Sequence, residues 1–503
     1  MQMKLPKTFF NKISLLGAIL SITALAIFAF LFILTYFFDV GGAYIGILMY
    51  MLLPVFLIIG LIFIPIGMIR TARKIAKDVN HDPMRWRVID FNNPRTRVAS
   101  VVFIFGTLLF LVLSAVGSYQ AFHITESVEF CGTVCHTVME PEHTTYQNSP
   151  HARVTCTECH VGEGAGWYVK SKLSGAYQVY SVLAEKYPKP IPTPVKHLRP
   201  ARETCEQCHW PQKFYSSQLR YEKHFLADSG NTEWDIHLNM KIGAEHSAFV
   251  NQKGIHWHNN QNVKIEYIAS DEKREVLPWI RYINLETGDT IVYENEWEPL
   301  EDSVKAVAEK RKMDCMDCHN RPSHKFLVPQ LFIDNAIAGG QIPKELPEIK
   351  RVTMGILFSE QFNTKDTAMM VIENRISEFY KDNYPEIFAE KYNLIEAAIA
   401  GTQDGFSKNM FPEMKANWDA YPVHIGHLEY NGCFRCHDNN HVSSEGKRIS
   451  KDCNMCHSIL LQGEPCKSEV GKHNESLEFK HPVDIDEAWK EANCSECHRY
   501  LYF

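Results

Sequence analysis

The 503-residue sequence predicts a two-part fold, in which three transmembrane helices precede a mostly α-helical and irregular domain with a small β insertion. Three observations predict this fold. Long apolar runs lie in the first quarter of the chain, closely spaced cysteine pairs lie after it, and the charge changes sign between the two parts. Residues 1–123 carry 11 Lys and Arg against 4 Asp and Glu, and the remainder carries 41 against 55. A net charge of -7 with 45% apolar residues excludes a disordered tail and a basic nucleic-acid binder, so we expect no nucleic-acid partner.

Three apolar stretches, at residues 13–38, 43–69 and 98–122, are long enough to cross a lipid bilayer. A spanning helix needs about 20 residues. Pro54 and Pro65 lie inside the second stretch, where neighbouring helices can satisfy the freed carbonyl groups. The first stretch is too long for the apolar part of a signal peptide, and no small-residue cleavage pattern follows it. We therefore expect residues 1–123 to form a three-pass membrane anchor.

Basic residues between the second and third stretches predict the orientation of this anchor. The loop from Arg70 to Arg97 holds eight Lys and Arg, and three lysines precede the first stretch. Lys and Arg near the ends of spanning helices are retained on the cytoplasmic side. The N-terminus is therefore expected in the cytoplasm. Everything after His123 is expected on the outer face, where covalent cysteine chemistry is possible.

Fourteen of the 15 cysteines form seven pairs, and a histidine directly follows each pair. The first pair, Cys131 and Cys135 before His136, has three intervening residues. The other six read C-x-x-C-H and are Cys156, Cys159 and His160; Cys205, Cys208 and His209; Cys315, Cys318 and His319; Cys433, Cys436 and His437; Cys453, Cys456 and His457; and Cys494, Cys497 and His498. Two thiols at this spacing add across the two vinyl groups of haem, and the adjacent histidine reaches the iron. The pattern predicts a multihaem cytochrome c with seven covalent haem c groups.

The two alternatives for paired cysteines explain less of this pattern. Structural zinc uses the thiolates as ligands but does not need a histidine directly after each pair. A disulfide framework explains neither the fixed spacing nor the histidines. Cys466 lies outside the pairs and is assigned no role.

A second histidine on the opposite side of each iron would leave no open coordination position, which suits electron transfer. Sequence context favours His151 and His324, which lie close to haem motifs. Five more histidines follow, in polar or aromatic stretches: His197, His256, His427, His441 and His481. For each of these, an ordinary hydrogen-bonded histidine is the alternative. His224, His237, His246, His258 and His424 remain as substitutes.

The outer part offers roughly 54 residues per haem, too few for an apolar core around each cofactor, so its stability should depend on haem attachment. Residues 124–187 hold the first two motifs, and a proline-rich segment at 188–194 marks the next boundary. Residues 188–325 hold the third and fourth motifs and a β insertion, with strands predicted at 263–268, 279–283 and 290–293. Residues 326–503 hold the last three motifs and a helical insertion. There, apolar spacing between Asn363 and Ala400 predicts two packed helices that end before Gly401.

Residues 98–209 resemble the NapC/NirT family of membrane-anchored multihaem cytochromes. The resemblance consists of a membrane helix that runs into Cys131–His136, then His151 and Cys156–His160, and then a basic amphipathic stretch. Over its whole length, the chain resembles the inner-membrane heptahaem cytochromes of metal-reducing bacteria. This resemblance implies a bacterial inner-membrane protein with a periplasmic haem domain. It also implies oxidation of quinol, with menaquinol as the expected form, and electron transfer to periplasmic multihaem cytochromes that serve extracellular metals or electrodes.

The resemblance also implies specific site residues. The first haem would lie at the membrane surface beside the quinol site, and a methionine shortly after its motif could bind the iron. That residue would be Met139, with His136 as the alternative, because Met139 lies three rather than two positions beyond His136. The family places a lysine and an acid at the quinol headgroup. Lys170 and Lys172 occupy this region, whereas Gln178 takes the acid's position, so the acidic role could pass to Glu126, Glu129 or Glu163.

Two other functions compete with quinol oxidation. A multihaem terminal reductase of a small molecule such as nitrite needs an iron with an open site, often marked by a C-x-x-C-K motif, and the sequence contains none. An electron-wire subunit of a larger quinol-oxidising complex would have the same haem motifs. The three-helix anchor does not separate this last function from direct quinol oxidation.

Overall fold

The computed structural model describes residues 7–38, 52–78, 91–134, 136–162, 164–195, 200–210, 215–243, 254–472 and 475–500. The chain divides into two compact units. The first comprises Met1–Glu140 with Thr155–Thr157, and the second comprises Pro141–Val154 with Glu158–Phe503.

The first unit contains three long helices, α1 (Lys12–Phe38), α2 (Leu53–Asp78) and α3 (Pro94–Glu126). All three are long and apolar enough to cross a membrane. The predicted spans at 13–38 and 98–122 are confirmed as helices, whereas residues 43–51 of the second span lie outside the described residues. Two shorter helices follow, α4 (Val128–Thr133) and α5 (His136–Gln147).

Helix α2 extends beyond the predicted span. It continues to Asp78, although a loop was predicted from Arg70. Arg and Lys are good helix formers, and basic side chains near a C-terminus interact favourably with the helix dipole. The apolar run therefore ends before the helix does.

Helices α1 and α2 pack closely through small residues. A Cβ atom added to Gly17 would lie 2.6 Å from the Gly60 carbonyl oxygen, and one added to Gly67 would lie 2.6 Å from the Ser14 amide nitrogen. The Ser14 hydroxyl donates a hydrogen bond of 2.8 Å to the Ile64 carbonyl. Small residues and interhelical hydrogen bonds are the usual means of helix association in lipid, where apolar burial gives little driving force.

The remaining helices are α6 (Cys156–His160), α7 (Ala165–Leu183), α8 (Ala201–Cys205), α9 (Asp302–Val307), α10 (Cys315–Cys318), α11 (Pro329–Ala338), α12 (Ile349–Ser359), α13 (Lys365–Asn383), α14 (Pro385–Glu390), α15 (Tyr392–Asn409) and α16 (Cys494–His498). Helices α11 to α15 form the helical insertion around one apolar core, in which Ile372, Ile376, Tyr380 and Phe406 are fully buried. Of the two helices predicted between Asn363 and Ala400, the first is confirmed as α13, whereas the second, predicted to begin near Pro385, is divided at Lys391 into α14 and α15.

Gly401 lies inside α15, although it was predicted to end that helix. A Cβ atom at this position would lie 2.7 Å from Cγ1 of Ile342 and 3.0 Å from the Gln341 carbonyl oxygen. The glycine therefore allows the segment after α11 to approach the helix. Glycine often ends a helix, but here it lies within one and permits close packing.

Two antiparallel sheets complete the second unit. Their strands are β1 (Gln218–Phe225), β2 (Glu233–Met240), β3 (Val263–Ile268), β4 (Trp279–Asn284), β5 (Thr290–Asn295), β6 (Arg311–Lys312), β7 (His441–Ser443), β8 (His457–Gly463) and β9 (Glu469–Val470). One sheet has the order β6-β3-β4-β5-β7 and the other β1-β2-β8-β9. The three predicted strands are confirmed as β3, β4 and β5.

The sheet that contains β1 and β2 was not predicted. Its signal is present in the sequence, because Trp234, Ile236, Leu238 and Met240 alternate with polar residues along β2. Such a period of two is typical of a half-buried strand. The later strands β7 and β8 come from the region of the last three motifs. The β structure is therefore larger than a local insertion.

Phe406 should be a strong determinant of stability in the helical insertion. Its ring contacts Phe362 edge-on, with ring centroids 5.2 Å apart. We expect Phe406→Ala to lower the free energy of unfolding by about 3–5 kcal/mol. The control Met370→Ala, on the exposed face of α13, should change it by at most about 0.5 kcal/mol. Denaturant unfolding followed by circular dichroism measures both. Equal effects of the two substitutions would contradict the assignment of this core.

Candidate functional site

The haem motifs form short helical turns that place each histidine beside its cysteines. The backbone amides of His209 and His319 donate to the carbonyls of Cys205 and Cys315, each at 2.8 Å. The His437 amide donates to the carbonyl of Cys433 at 3.1 Å. Each bond closes one turn, so the imidazole and the first cysteine of the motif lie close together. This is the local arrangement that covalent haem attachment requires.

Six motif histidines each face a second histidine from elsewhere in the chain. The ring-centroid separations are 6.0 Å for His209 and His151, 6.2 Å for His160 and His324, 6.3 Å for His319 and His256, 5.9 Å for His437 and His258, 6.1 Å for His457 and His427, and 5.9 Å for His498 and His481. These pairs join residues that are as far apart in sequence as His258 and His437.

The separations fit two imidazoles on opposite sides of one iron. An imidazole nitrogen lies about 1.2 Å from its ring centroid and binds a metal at about 2.0–2.1 Å, so two axial rings should have centroids roughly 6.4 Å apart. In the described part of the chain, no group of three or more His, Cys, Asp or Glu side chains could hold a metal ion. Pairs of histidines suit haem, because the porphyrin supplies four nitrogen ligands to the iron and leaves two axial positions.

The second nitrogen of several paired rings is already engaged. Nδ1 lies 3.2 Å from the Pro322 carbonyl in His151, 3.1 Å from that of Ile242 in His256, 2.9 Å from that of Ile255 in His258, 2.9 Å from that of Glu142 in His324 and 2.7 Å from that of Val483 in His481. Because a carbonyl only accepts, Nδ1 must carry the proton in His151, His256, His258 and His324, whereas Nδ1 of His481 also lies 3.3 Å from the Val483 amide nitrogen. In the first four rings Nε2 then has a lone pair for a metal, which is the usual arrangement of metal-bound histidines.

Desolvation keeps three of the paired rings neutral. Burial lowers the pKa of His258, and it lowers the pKa values of His427 and His498 to about 4. A protonated imidazole has no lone pair for a metal, whereas these rings are neutral at pH 7. The side chains are thus in the state that iron ligation needs.

Five of the seven favoured distal histidines face a motif histidine: His151, His256, His324, His427 and His481. His441 does not fit this role, because Nδ1 lies 2.8 Å from the Asp438 carboxylate and Nε2 lies 2.8 Å from the Leu277 carbonyl. His258, named among the substitutes, faces His437. His197 and Cys135 lie outside the described residues, as does the side chain of His136, which begins helix α5. Met139 lies half-buried in that helix.

Charged residues inside two motifs connect them to the neighbouring sheet. Asp317, between Cys315 and Cys318, accepts hydrogen bonds from Tyr267 at 2.5 Å and from Arg311 at 2.8 Å. Both partners belong to the five-stranded sheet. Arg435, in the next motif, donates a hydrogen bond of 2.7 Å to the backbone carbonyl of Asp317. The fourth and fifth motifs are therefore held together, which the spacing of cysteines alone could not reveal.

Cysteines of successive motifs lie close enough for one thiol to affect the pKa of the next. A hydrogen bond with Cys131 lowers the pKa of Cys156 to about 7, and one with Cys315 raises that of Cys205. Burial raises the pKa of Cys318 to about 12 and of Cys456 to about 11, and also raises that of Cys494, with smaller contributions from thiols of adjacent motifs. The neighbouring pairs, in chain order, are Cys131 with Cys156, Cys159 with Cys205, Cys205 with Cys315, Cys318 with Cys433, Cys433 with Cys456, and Cys453 with Cys494. The motifs thus neighbour each other in the order of the sequence.

The described residues considered for the quinol headgroup lie on three helices. Lys170 and Lys172 belong to α7, where the Lys170 ammonium lies 5.0 Å from the ring centroid of Trp167. Lys170 is exposed and Lys172 is half-buried. Glu129 lies on α4, two residues before Cys131, and its charge acts on the Cys156 thiol. Glu126 is the last residue of α3, and Glu163 lies outside the described residues.

Comparisons with known proteins agree with the site chemistry. Residues 93–191 match the N-terminal region of the NapC/NirT cytochrome c family. The chain is 43% identical over 489 residues to the cytochrome c-type protein ImcH of Geobacter sulfurreducens, an alignment that covers 97% of this chain and 95% of the relative. No solved structure matches. The chain is therefore a member of the NapC/NirT family of cytochromes c, proteins of membrane-associated electron transfer that carry covalent haem c.

Proposed function

We propose that this protein oxidises quinol in the bacterial inner membrane and passes the electrons through seven covalent haem c groups to periplasmic multihaem cytochromes. The observation that carries the proposal is the set of six facing histidine pairs, each built on a C-x-x-C-H motif. Haem c supplies a one-electron iron couple when bound. Two axial histidines leave no site for a substrate on those irons. This favours electron transfer over a terminal reductase acting on nitrite.

The proposed route follows the motifs in chain order, from Cys131 to His498. It is supported by the proximity of cysteines in each successive pair of motifs. Arg435 and Asp317 would keep the fourth and fifth motifs adjacent through their hydrogen bond. The last motif, Cys494 to His498, would be the simplest exit for electrons because it ends this series.

At the other end, the proposed quinol site lies near the first motif. Oxidation of a quinol breaks two O–H bonds and releases two electrons and two protons, so the site needs groups that orient the hydroxyls and accept protons. Lys170 and Lys172 would orient the headgroup, as the family resemblance implies. The anchor would place the quinone pool within reach, with the N-terminus in the cytoplasm and the haem domain outside.

The mature protein should carry seven haem adducts. Mass spectrometry of the intact chain should show the mass of seven haems, and the double substitution of Cys494 and Cys497 by Ser should remove one of them. The matched control is Cys466→Ser, which changes an exposed cysteine outside the motifs and should leave seven. Fewer than seven adducts on the unmodified chain would contradict the proposed count.

Loss of both headgroup lysines should slow oxidation of quinol. We expect the Lys170→Ala, Lys172→Ala double variant to reduce its haems with a menaquinol analogue about 100-fold more slowly, the size of effect typical of a group that assists proton transfer. Stopped-flow haem absorbance measures the rate, and dithionite should still reduce every haem. Lys472→Ala, an exposed lysine elsewhere, should behave as the unmodified chain. Should the unmodified chain fail to accept electrons from quinol, the wire-subunit alternative would be favoured.

Electron delivery to a periplasmic partner should weaken with salt. The residues after the anchor carry a net charge of -14, so a partner with a basic face would be steered toward them. We expect the second-order rate of electron transfer to a basic periplasmic multihaem cytochrome to fall about tenfold or more between low and high salt. Oxidation by an uncharged small molecule provides the control. A rate independent of ionic strength would contradict electrostatic steering of the partner.

A further inference from the structure

We propose that the short turn Ile255–Asn259 supplies the distal ligands of two different haems. His256 would bind the iron of the fourth motif, opposite His319, and His258 would bind the iron of the fifth motif, opposite His437. The assignment rests on the proposed haem binding but goes beyond it. It names a single turn as the element that fixes two irons relative to one another.

The geometry of the turn directs its two histidines toward different partners. It is a 3-10 helix, in which residues two positions apart point in different directions because each residue advances by about 120°. His256 and His258 therefore reach different partners, with ring-centroid separations of 6.3 Å from His319 and 5.9 Å from His437. Both rings hold Nδ1 against a backbone carbonyl, which places the proton on Nδ1 and the lone pair on Nε2.

Three contacts hold this turn in place. The Ile255 amide donates 2.9 Å to the Lys241 carbonyl. Trp257, between the two histidines, stacks on Tyr282 of β4 with ring centroids 5.6 Å apart and planes inclined by 24°. Gly254 has φ of 74°, and a Cβ atom there would lie 2.2 Å from the Lys241 carbonyl oxygen. The turn is thus anchored on β4 and on the segment that directly follows β2, and it is preceded by a position that accepts only glycine.

The same two motifs are also joined on their proximal side. The Arg435 guanidinium donates 2.7 Å to the Asp317 carbonyl and 2.8 Å to the Arg274 carbonyl. Two independent connections therefore link the fourth and fifth motifs, one through the distal histidines and one through the residues between the cysteines. His441 has no nitrogen left for the fifth iron, since both are hydrogen-bonded and the residue is 1% exposed.

The two ring pairs differ in orientation, and this difference gives a spectroscopic test. The rings of His256 and His319 are nearly parallel, with planes 4° apart, whereas those of His258 and His437 are nearly perpendicular, at 87°. Parallel axial imidazoles separate two iron d orbitals in energy and give a rhombic low-spin electron paramagnetic resonance spectrum. Perpendicular imidazoles leave these orbitals nearly degenerate and give a highly anisotropic low-spin signal.

The experiment compares paramagnetic resonance spectra of the oxidised full-length protein and three variants. His258→Gly should lose a highly anisotropic low-spin signal equivalent to one iron and gain a high-spin signal, which added imidazole should reverse. His256→Gly should instead lose a rhombic low-spin signal. His441→Gln is the control and should keep all low-spin signals. The assignment is overturned if His258→Gly keeps every low-spin iron, or if His441→Gln produces a high-spin iron.

A second substitution covers the case in which His258→Gly does not accumulate. His258→Met keeps a possible ligand and should give a sulfur-to-iron charge-transfer band that the unmodified chain lacks at this site. Absence of that band in a protein with its full haem content would also overturn the assignment. Haem counting by mass and reduction by quinol test the proposed function separately. Seven haems with unchanged spectra in the histidine variants would refute the role of the turn alone.

Discussion

The separation of about 6 Å between facing imidazoles is the constraint on which the second unit of this protein depends. Two rings at that distance have no direct hydrogen bond with each other. Each ring must therefore be positioned by a hydrogen bond at the nitrogen that faces away from its partner. It does so with backbone carbonyls that accept from Nδ1, as Ile242 does for His256 and Glu142 does for His324. Each such bond ties a ring to a different element of the fold. The helices, turns and sheets are thus arranged to oppose imidazoles, and the apolar packing around the haem motifs is secondary.

One part of the second unit is organised by apolar packing instead. The helical insertion has a continuous apolar core with residues such as Ile372 and Phe406 fully buried, and it contains no haem motif. Within it, Lys350 and Asp334 form a buried ion pair, and the Lys350 backbone amide donates 3.0 Å to the side chain of Asn231. The insertion is accordingly a conventional domain core beside a region organised by cofactor ligands. Its stability should respond to ordinary packing changes, whereas that of the haem region should respond to ligation.

The sequence predicts these two regions with unequal success, and the reason is physical. Local patterns are reliable: the C-x-x-C-H motifs, the apolar spans and the strands β3 to β5 all arise from neighbouring residues. Pairing of histidines is a property of the folded chain, so His258 could not be preferred over His441 from sequence context. In the fold, His441 is the buried first residue of β7, and the Asp438 carboxylate and the Leu277 carbonyl occupy its two nitrogens. Gly401 shows the same limit, because its role depends on Ile342 approaching from another segment.

The pairing of β2 with β8 has a consequence for how the protein is made. Strand β2 ends at Met240 and β8 begins at His457, the histidine of the sixth motif. This sheet therefore cannot close until more than two hundred further residues have been synthesised, and such distant pairing is slow to form. Cysteines in the earlier motifs emerge while the chain is still open around them. Because the sheet closes late, covalent attachment of haem to these thiols can begin before the fold is complete.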